Sequence, residues 1–322
     1  MQWFLSFFSF AVAFQVVFAA PAGLERRASA TDAADVGFAT LNGGTTGGVG
    51  GTTTTVSTLA ALTAAVKGTS KKIVIVSGKH PLRTITGNAV VSVGSNTSVL
   101  GKKGSSLVGV GLRVKDASNV IVRNIRVSKV LASTGDAIAV QKSSRVWLDH
   151  LDLSSDRDHD KDFYDGLLDI THGSTGVTVS WSKLHDHFKA SLVGHSDNNK
   201  AEDTKITVTY ANNHFVNLNS RLPSFRFGRG HIFNNLFQNS NDGINTRLGA
   251  QLLVENNVFA RTKKPIFSTD GGFAVARGND LGGATNTAPN GSFTSAPYSY
   301  TLSSVAQVKS AVAAGAGQTL SF

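Results

Sequence analysis

Asparagine recurs in this chain at a fixed interval: Asn213, Asn235 and Asn257 are each 22 residues apart, and each is followed two positions later by Phe. The surrounding pieces, KITVTYANNHF (205–215), HIFNNLF (231–237) and LLVENNVF (252–259), alternate apolar and polar residues and bend at the Asn. The same pattern runs through NVIVRNIRV (119–127), RVWLDHLDL (145–153) and GVTVSWSKL (176–184), where Val146 and Val179 are 33 apart. A 22-residue unit with occasional insertions does not suit a helical hairpin repeat, which needs longer Ala/Leu-rich elements. It suits an all-β fold, the parallel β-helix, in which each coil holds about three short strands and coils stack at the ~4.8 Å strand spacing. Buried Asn at one phase would then lie above one another and satisfy each other's amides along the axis. A β-sandwich fits less well, because its strands recur every 8–12 residues with hairpin signals, and Asn-Gly signals are few here.

The ends of such a stack expose strand edges that something must cover. Leu and Ala at helical spacing predict a short capping helix over Ser57–Val66, and the Ala-rich Ser303–Ala314 offers a second cover. Between them Lys72–Val76 reads as a strand, and residues 28–322 are expected to form one domain. Cysteine is absent, which excludes disulfide scaffolds, Cys-based metal centres and thiol enzymes. Residues 1–20, MQWFLSFFSFAVAFQVVFAA, read as a secretory signal cut after Ala19 or Ala20, and Arg26-Arg27 as the end of a short pro-segment. A membrane anchor is the rival reading, but no other stretch is apolar for the ~18 residues that spanning requires. An extracellular monomer is expected, with Asn96 and Asn290 as glycosylation sequons. The 31 basic against 21 acidic residues give a net charge of +10, or +9 once Glu25, Arg26 and Arg27 leave with the leader. That charge suits an anionic partner. Nucleic acid is the usual such partner, but the Lys and Arg are dispersed and form no nucleic-acid module; an acidic polysaccharide would be drawn in by the same field, and net charge alone does not choose between the two.

Insertions leave a β-helix as loops on one face, so residues about 30 apart in sequence become neighbours. Asp136 lies ten residues before Val146 and Asp169 ten before Val179, which predicts the same position on consecutive coils; Asp165 belongs to the same edge. Three converging carboxylates repel one another unless a cation sits between them, and oxygen-only ligands on loops favour Ca2+. The run SSDRDHDKDFYDG (154–166) lacks the Gly and terminal Glu of an EF-hand, so His159, Asp160, Lys161 and Asp162 are assigned to local ion pairs. No metal-ligand spacing supports His150, His187 or His195, which are read as structural. Lys189 and Arg221 are 32 residues apart, and Arg226 follows five later. Opposite the acidic trio they would make a bipolar cleft for a polymer bearing repeated carboxylates.

The stretches GDAIAVQKSSRVWLDHLDLSSD, HDKDFYDGLLDITHGSTGVTVSWSKLHDHFKASLVGHSD, NSRLPSFRFGRGHIFNN and GAQLLVENNVF closely resemble secreted fungal pectate lyases of polysaccharide lyase family 1, from about Gly37 to the C-terminus. The resemblance implies a right-handed parallel β-helix that cleaves 1,4-linked polygalacturonate by Ca2+-dependent β-elimination, leaving 4,5-unsaturated oligogalacturonates. It implies Asp136, Asp165 and Asp169 as Ca2+ ligands, Lys189 and Arg226 as holders of substrate carboxylates, and Arg221, in the R-x-P-x-x-R pattern, as the base. One departure is Thr134, where some bacterial members carry a further acidic ligand. Guanidinium normally stays protonated, so an Arg base predicts an alkaline optimum. Three rivals remain. A pectin lyase would replace the acidic trio with basic or apolar groups, a galacturonan hydrolase needs an acid and base pair, and a non-catalytic binder would only grip the polymer.

Overall fold

The computed structural model describes residues 28–77 and 84–322; the leader and the pro-segment lie outside the described residues. The chain winds into a parallel β-solenoid of about ten turns with three faces. The first face has ten parallel strands, from Thr52–Val56 to Phe273–Arg277. The other two are joined into one twelve-stranded sheet, because the long strands Ser106–Lys115, Leu236–Arg247 and Val258–Thr269 turn the corner between them while staying paired. On the first face one rung runs Val74, Val99, Val122, Leu148, Val179, Tyr210, Ile232 and Val254, all buried. Runs such as KIVIV pack here because β-branched residues suit a pleated surface that is covered on its inner side.

The paired asparagines build the corner between the first and second faces. Asn212, Asn234 and Asn256 have φ of 59°, 55° and 51°, a left-handed conformation that Asn tolerates better than most residues. The next residue in each pair points inward. The backbone N–H of Asn213 donates to Asn235 Oδ1 at 2.8 Å, that of Asn235 to Asn257 Oδ1 at 2.9 Å, and that of Asn257 to Asn279 Oδ1 at 2.9 Å. Their side-chain amides donate along the same line at 3.0, 2.9 and 2.9 Å. Asn279 is a fourth member that the sequence reading missed. Beside the ladder, the Phe215, Phe237 and Phe259 rings stack with centroids 4.9 and 4.5 Å apart. Such pairs add about 0.5–1.5 kcal/mol each beyond burial.

The expected first helix forms over Leu59–Ala65, with the Thr58 side chain accepting from the Ala61 N–H, and buries Leu62 against the first coil. The second helix, Val305–Gly315, opens on a capping box between Ser304 and Gln307. It does not cover an end. Val308 and Val312 pack on the outward side chains of Leu236 and Val258, so it covers a flank, while Leu281 and Ala288 close the last coil. One further expectation needs correction. Val146 pairs with Val177, not Val179, and Asp169 pairs with Ala139, so the coil here is 31 or 30 residues long and Asp136 is three residues out of phase with Asp169. Of the two sequons, Asn290 is exposed, whereas the Asn96 side chain donates to Thr69 O and accepts from Asn119.

Candidate active site

The third face includes Ile138–Gln141, Leu168–Thr171, Leu192–Val193 and Ser224–Arg226; its strands carry Asp169 and Arg226, and the segments leading into them carry Asp136, Asp165, Lys189 and Arg221. Asp169 sits on a strand between Leu168 and Ile170, which point into the core, so its side chain faces outward although it is 9% exposed. Its Oδ1 accepts the Leu192 N–H at 2.9 Å. Asp136 ends the loop before Ile138 and accepts the Gly166 N–H at 3.0 Å. Despite the phase difference, the two carboxylates converge over Gly166. A Cβ on that residue would lie 2.7 Å from Asp169 Oδ1 and 2.8 Å from Asp136 Oδ1. Only glycine leaves the gap open.

Asp165 stands at the rim, half exposed, with its Oδ1 3.6 Å from Lys189 Nζ. The loop that carries it is held from beneath by His187, whose Nε2–H donates to the Asp165 carbonyl at 2.6 Å while Nδ1 faces the Ser155 hydroxyl. Burial, reinforced by Lys189 and Arg221, lowers the His187 imidazole to about 4, so it stays neutral and keeps this tautomer. Lys189 also meets Asp162 Oδ1 at 3.1 Å. Arg221 occupies the bend between His214–Ser220 and Ser224–Arg226 with φ of 65°. Lys189 pairs in register with Ser220, one residue off the expected phase with Arg221. The guanidinium of Arg221 has no ion pair among the described residues, yet its charge acts on Asp136, Asp169 and Asp162. Arg226 is held by Asp197 and by Gly194 O at 3.2 Å.

Burial, then the charges of Asp169 and Asp165, push the Asp136 carboxyl far above its ordinary range. Asp169 is raised too, chiefly by burial, although Arg221 and the Leu192 N–H pull the other way. Two acids forced towards neutrality across an open gap are oxygen donors short of positive charge. No three His, Asp or Glu side chains among the described residues are arranged as a finished metal cage. Asp165 has turned to the nearest cation on offer, the Lys189 ammonium. The donor chemistry and the gap over Gly166 nevertheless fit a hard cation such as Ca2+, for which irregular carboxylate geometry is ordinary. Thr134 lies aside and bonds to Asn88.

The sequence reading missed Arg247 and Asp197. Arg247 pairs in register with Arg226 and lies 2.9 Å from Asp270 and 3.4 Å from Asp197. Its offset of 21 from Arg226 is close to the Asn period, so extending that period would have found it. His150 and His187 are hydrogen-bonded within the protein, as read, His150 to Asp149 at 2.7 Å, whereas His195 is exposed and its ring stacks on His172. His159 pairs with Asp156 and not with its neighbours, while Lys161 faces Asp162.

A family model described as pectate lyase matches residues 15–320. Pectate lyase A of Aspergillus niger is 58% identical over 315 residues, covering 96% of each chain, and a probable pectate lyase A of Aspergillus fumigatus is 59% identical over 295 residues, covering 91% of each. Among solved structures, a Bacillus sp. N165 pectate lyase in complex with trigalacturonate superposes with a TM-score of 0.78 at 31% identity, over 88% of this chain and 98% of that one. A Xanthomonas campestris pectate lyase superposes with a TM-score of 0.75 at 26% identity, over 89% and 98%. The outward face of the solenoid, the converging acids and these relatives agree: the chain belongs to the pectate lyase family and is a polysaccharide lyase.

Proposed function

We propose that the protein cleaves 1,4-linked polygalacturonate by Ca2+-dependent β-elimination outside the cell. The observation that carries this reading is the convergence of Asp136 and Asp169 on the gap over Gly166, within the field of Arg221, which has no ion pair among the described residues. Asp136, Asp169 and a re-aimed Asp165 would hold Ca2+, which when bound neutralises a substrate carboxylate and so acidifies the C–H beside it. Lys189 and Arg226 exchange their present partners, Asp162 and Asp197, for carboxylates of the polymer. These pairs are exposed on the acid side and weak, so the exchange costs little. Arg221, in its deprotonated form, takes the proton from C5. The C5–H electron pair becomes the C4–C5 double bond, the C4–O bond breaks, and the departing oxygen collects a proton from water. Lys189 and Arg226 stabilise the negative charge that builds on the carboxylate during this step.

Ultraviolet absorbance of the unsaturated product tests the proposal. Polygalacturonate should give absorbance that a chelator abolishes and Ca2+ restores. Chelator-insensitive preference for methylated pectin would select a pectin lyase, and saturated ends would select a hydrolase.

A further inference from the structure

Beyond the four strands of the site, the third face continues to the end of the solenoid. The rung that begins at Ile170 runs through Val193, Phe225 and Thr246 to Ser268. The residues immediately before these, Asp169, Leu192, Ser224, Asn245 and Phe267, lie along the outward side of the same sheet. Phe267 is therefore four coils from Asp169, or about 19 Å at the strand spacing. It lines a cavity of about 590 Å³ between the strand Val258–Thr269 and residues 283–287. Two exposed cations open onto that cavity. Lys264 Nζ lies 5.4 Å from the Phe267 ring centroid and 3.8 Å from Asp242, and Lys263 has no ion pair among the described residues.

We propose that this cavity is a remote subsite for a uronate residue of the polymer. The half-buried Phe267 ring offers a flat apolar surface to the C–H face of a pyranose. The ammonium groups of Lys263 and Lys264 meet the carboxylates on either side of it. A 1,4-linked pyranose advances by about the spacing between successive coils, so a chain lying along the face from Asp169 reaches Phe267 after about four sugars. A neutral or methyl-esterified chain would gain nothing from the lysines. The subsite therefore favours long, unesterified stretches, and this inference rests on the function proposed above.

The test uses the whole protein with Lys263→Gln and Lys264→Gln together, and separately Phe267→Ala. The readout is the ratio of kcat/KM on octagalacturonate to that on tetragalacturonate. Loss of two exposed carboxylate contacts should lower this ratio about fivefold or more, through KM. Phe267→Ala should lower it in the same sense. An unchanged ratio in the lysine pair, whose side chains are exposed and whose loss spares the fold, overturns the inference. Calorimetric binding of the two oligomers to Arg221→Ala protein, with and without the lysine substitutions, separates the two levels. If no unsaturated product forms at all, the proposed reaction fails, yet the length preference in binding still decides for or against the subsite.

Discussion

Asp149 is buried and Asp136 partly buried in the same solenoid, and their carboxyls are driven in opposite directions. Burial alone would raise Asp149, which is 1% exposed, but His150 Nδ1 at 2.7 Å, Arg123 Nε at 2.7 Å and the Ser180 hydroxyl at 2.6 Å outweigh it and hold the group below the usual range. Asp136 has one backbone donor and two acids for company, and it is raised. The first is an ion pair finished within the protein. The second has no ion pair among the described residues, and the proposed Ca2+ would supply it. Unfinished electrostatics on one face and finished electrostatics on the other distinguish the site from the scaffold.

The comparison breaks if the two kinds of acid respond alike to substitution. Arg221→Ala should leave the fold intact and cut turnover by about 10²- to 10⁴-fold, the range for a positioned base, whereas unchanged turnover removes Arg221 from the reaction. Asp149→Asn should be silent in chemistry and costly in stability, by about 1.5–3 kcal/mol in denaturant unfolding, because Arg123 and His150 lose a buried charged acceptor while Asp32 still holds the far side of the guanidinium. A cost below about 1 kcal/mol would show that the scaffold pair is dispensable. Asn235→Ala removes the acceptor of the Asn213 N–H and should cost about 1–3 kcal/mol. The smallest effect is on acid stability. Burial depresses His231 to about 4 against an ordinary 6.5, with Glu255 opposing. Its contribution is therefore present above about pH 6.5 and lost as pH falls towards 4. His231→Gln should flatten the thermal stability profile across that window.

The solenoid was legible because its repeat is written in residues that do one job at every coil. Asn-Asn pairs supply a left-handed bend and then a buried ladder, and Phe two positions later supplies the stack. The site was legible as a set of residues but not as geometry. Asp136 and Asp169 looked equivalent through a count of ten before two valines, but Val179 pairs with Leu148, and the acids meet only because Gly166 has no side chain to hold them apart. Insertions of unequal length hide such offsets, since nothing in the sequence marks where the coil resumes. Asp197 escaped notice, and the pairing of Asp162 with Lys189 was not foreseen, for a related reason. They lie in loops, and what they contact depends on where neighbouring loops fold over.

Thermal unfolding at pH 8, with chelator and then with Ca2+, tests the unfinished half of the comparison most directly. An acid whose folded pKa is raised favours the fold at low pH and loses that contribution as pH rises, so the burial of Asp136 and Asp169, reinforced by neighbouring carboxylates, should weaken the chelated protein at pH 8. Ca2+ at 100 times its dissociation constant should then restore about 2.7 kcal/mol, and Asp169→Asn should raise the melting temperature in chelator while abolishing the response to Ca2+. Equal responses to Ca2+ in the wild-type and Asp169→Asn proteins, or no response in either, would contradict a cation held between these acids.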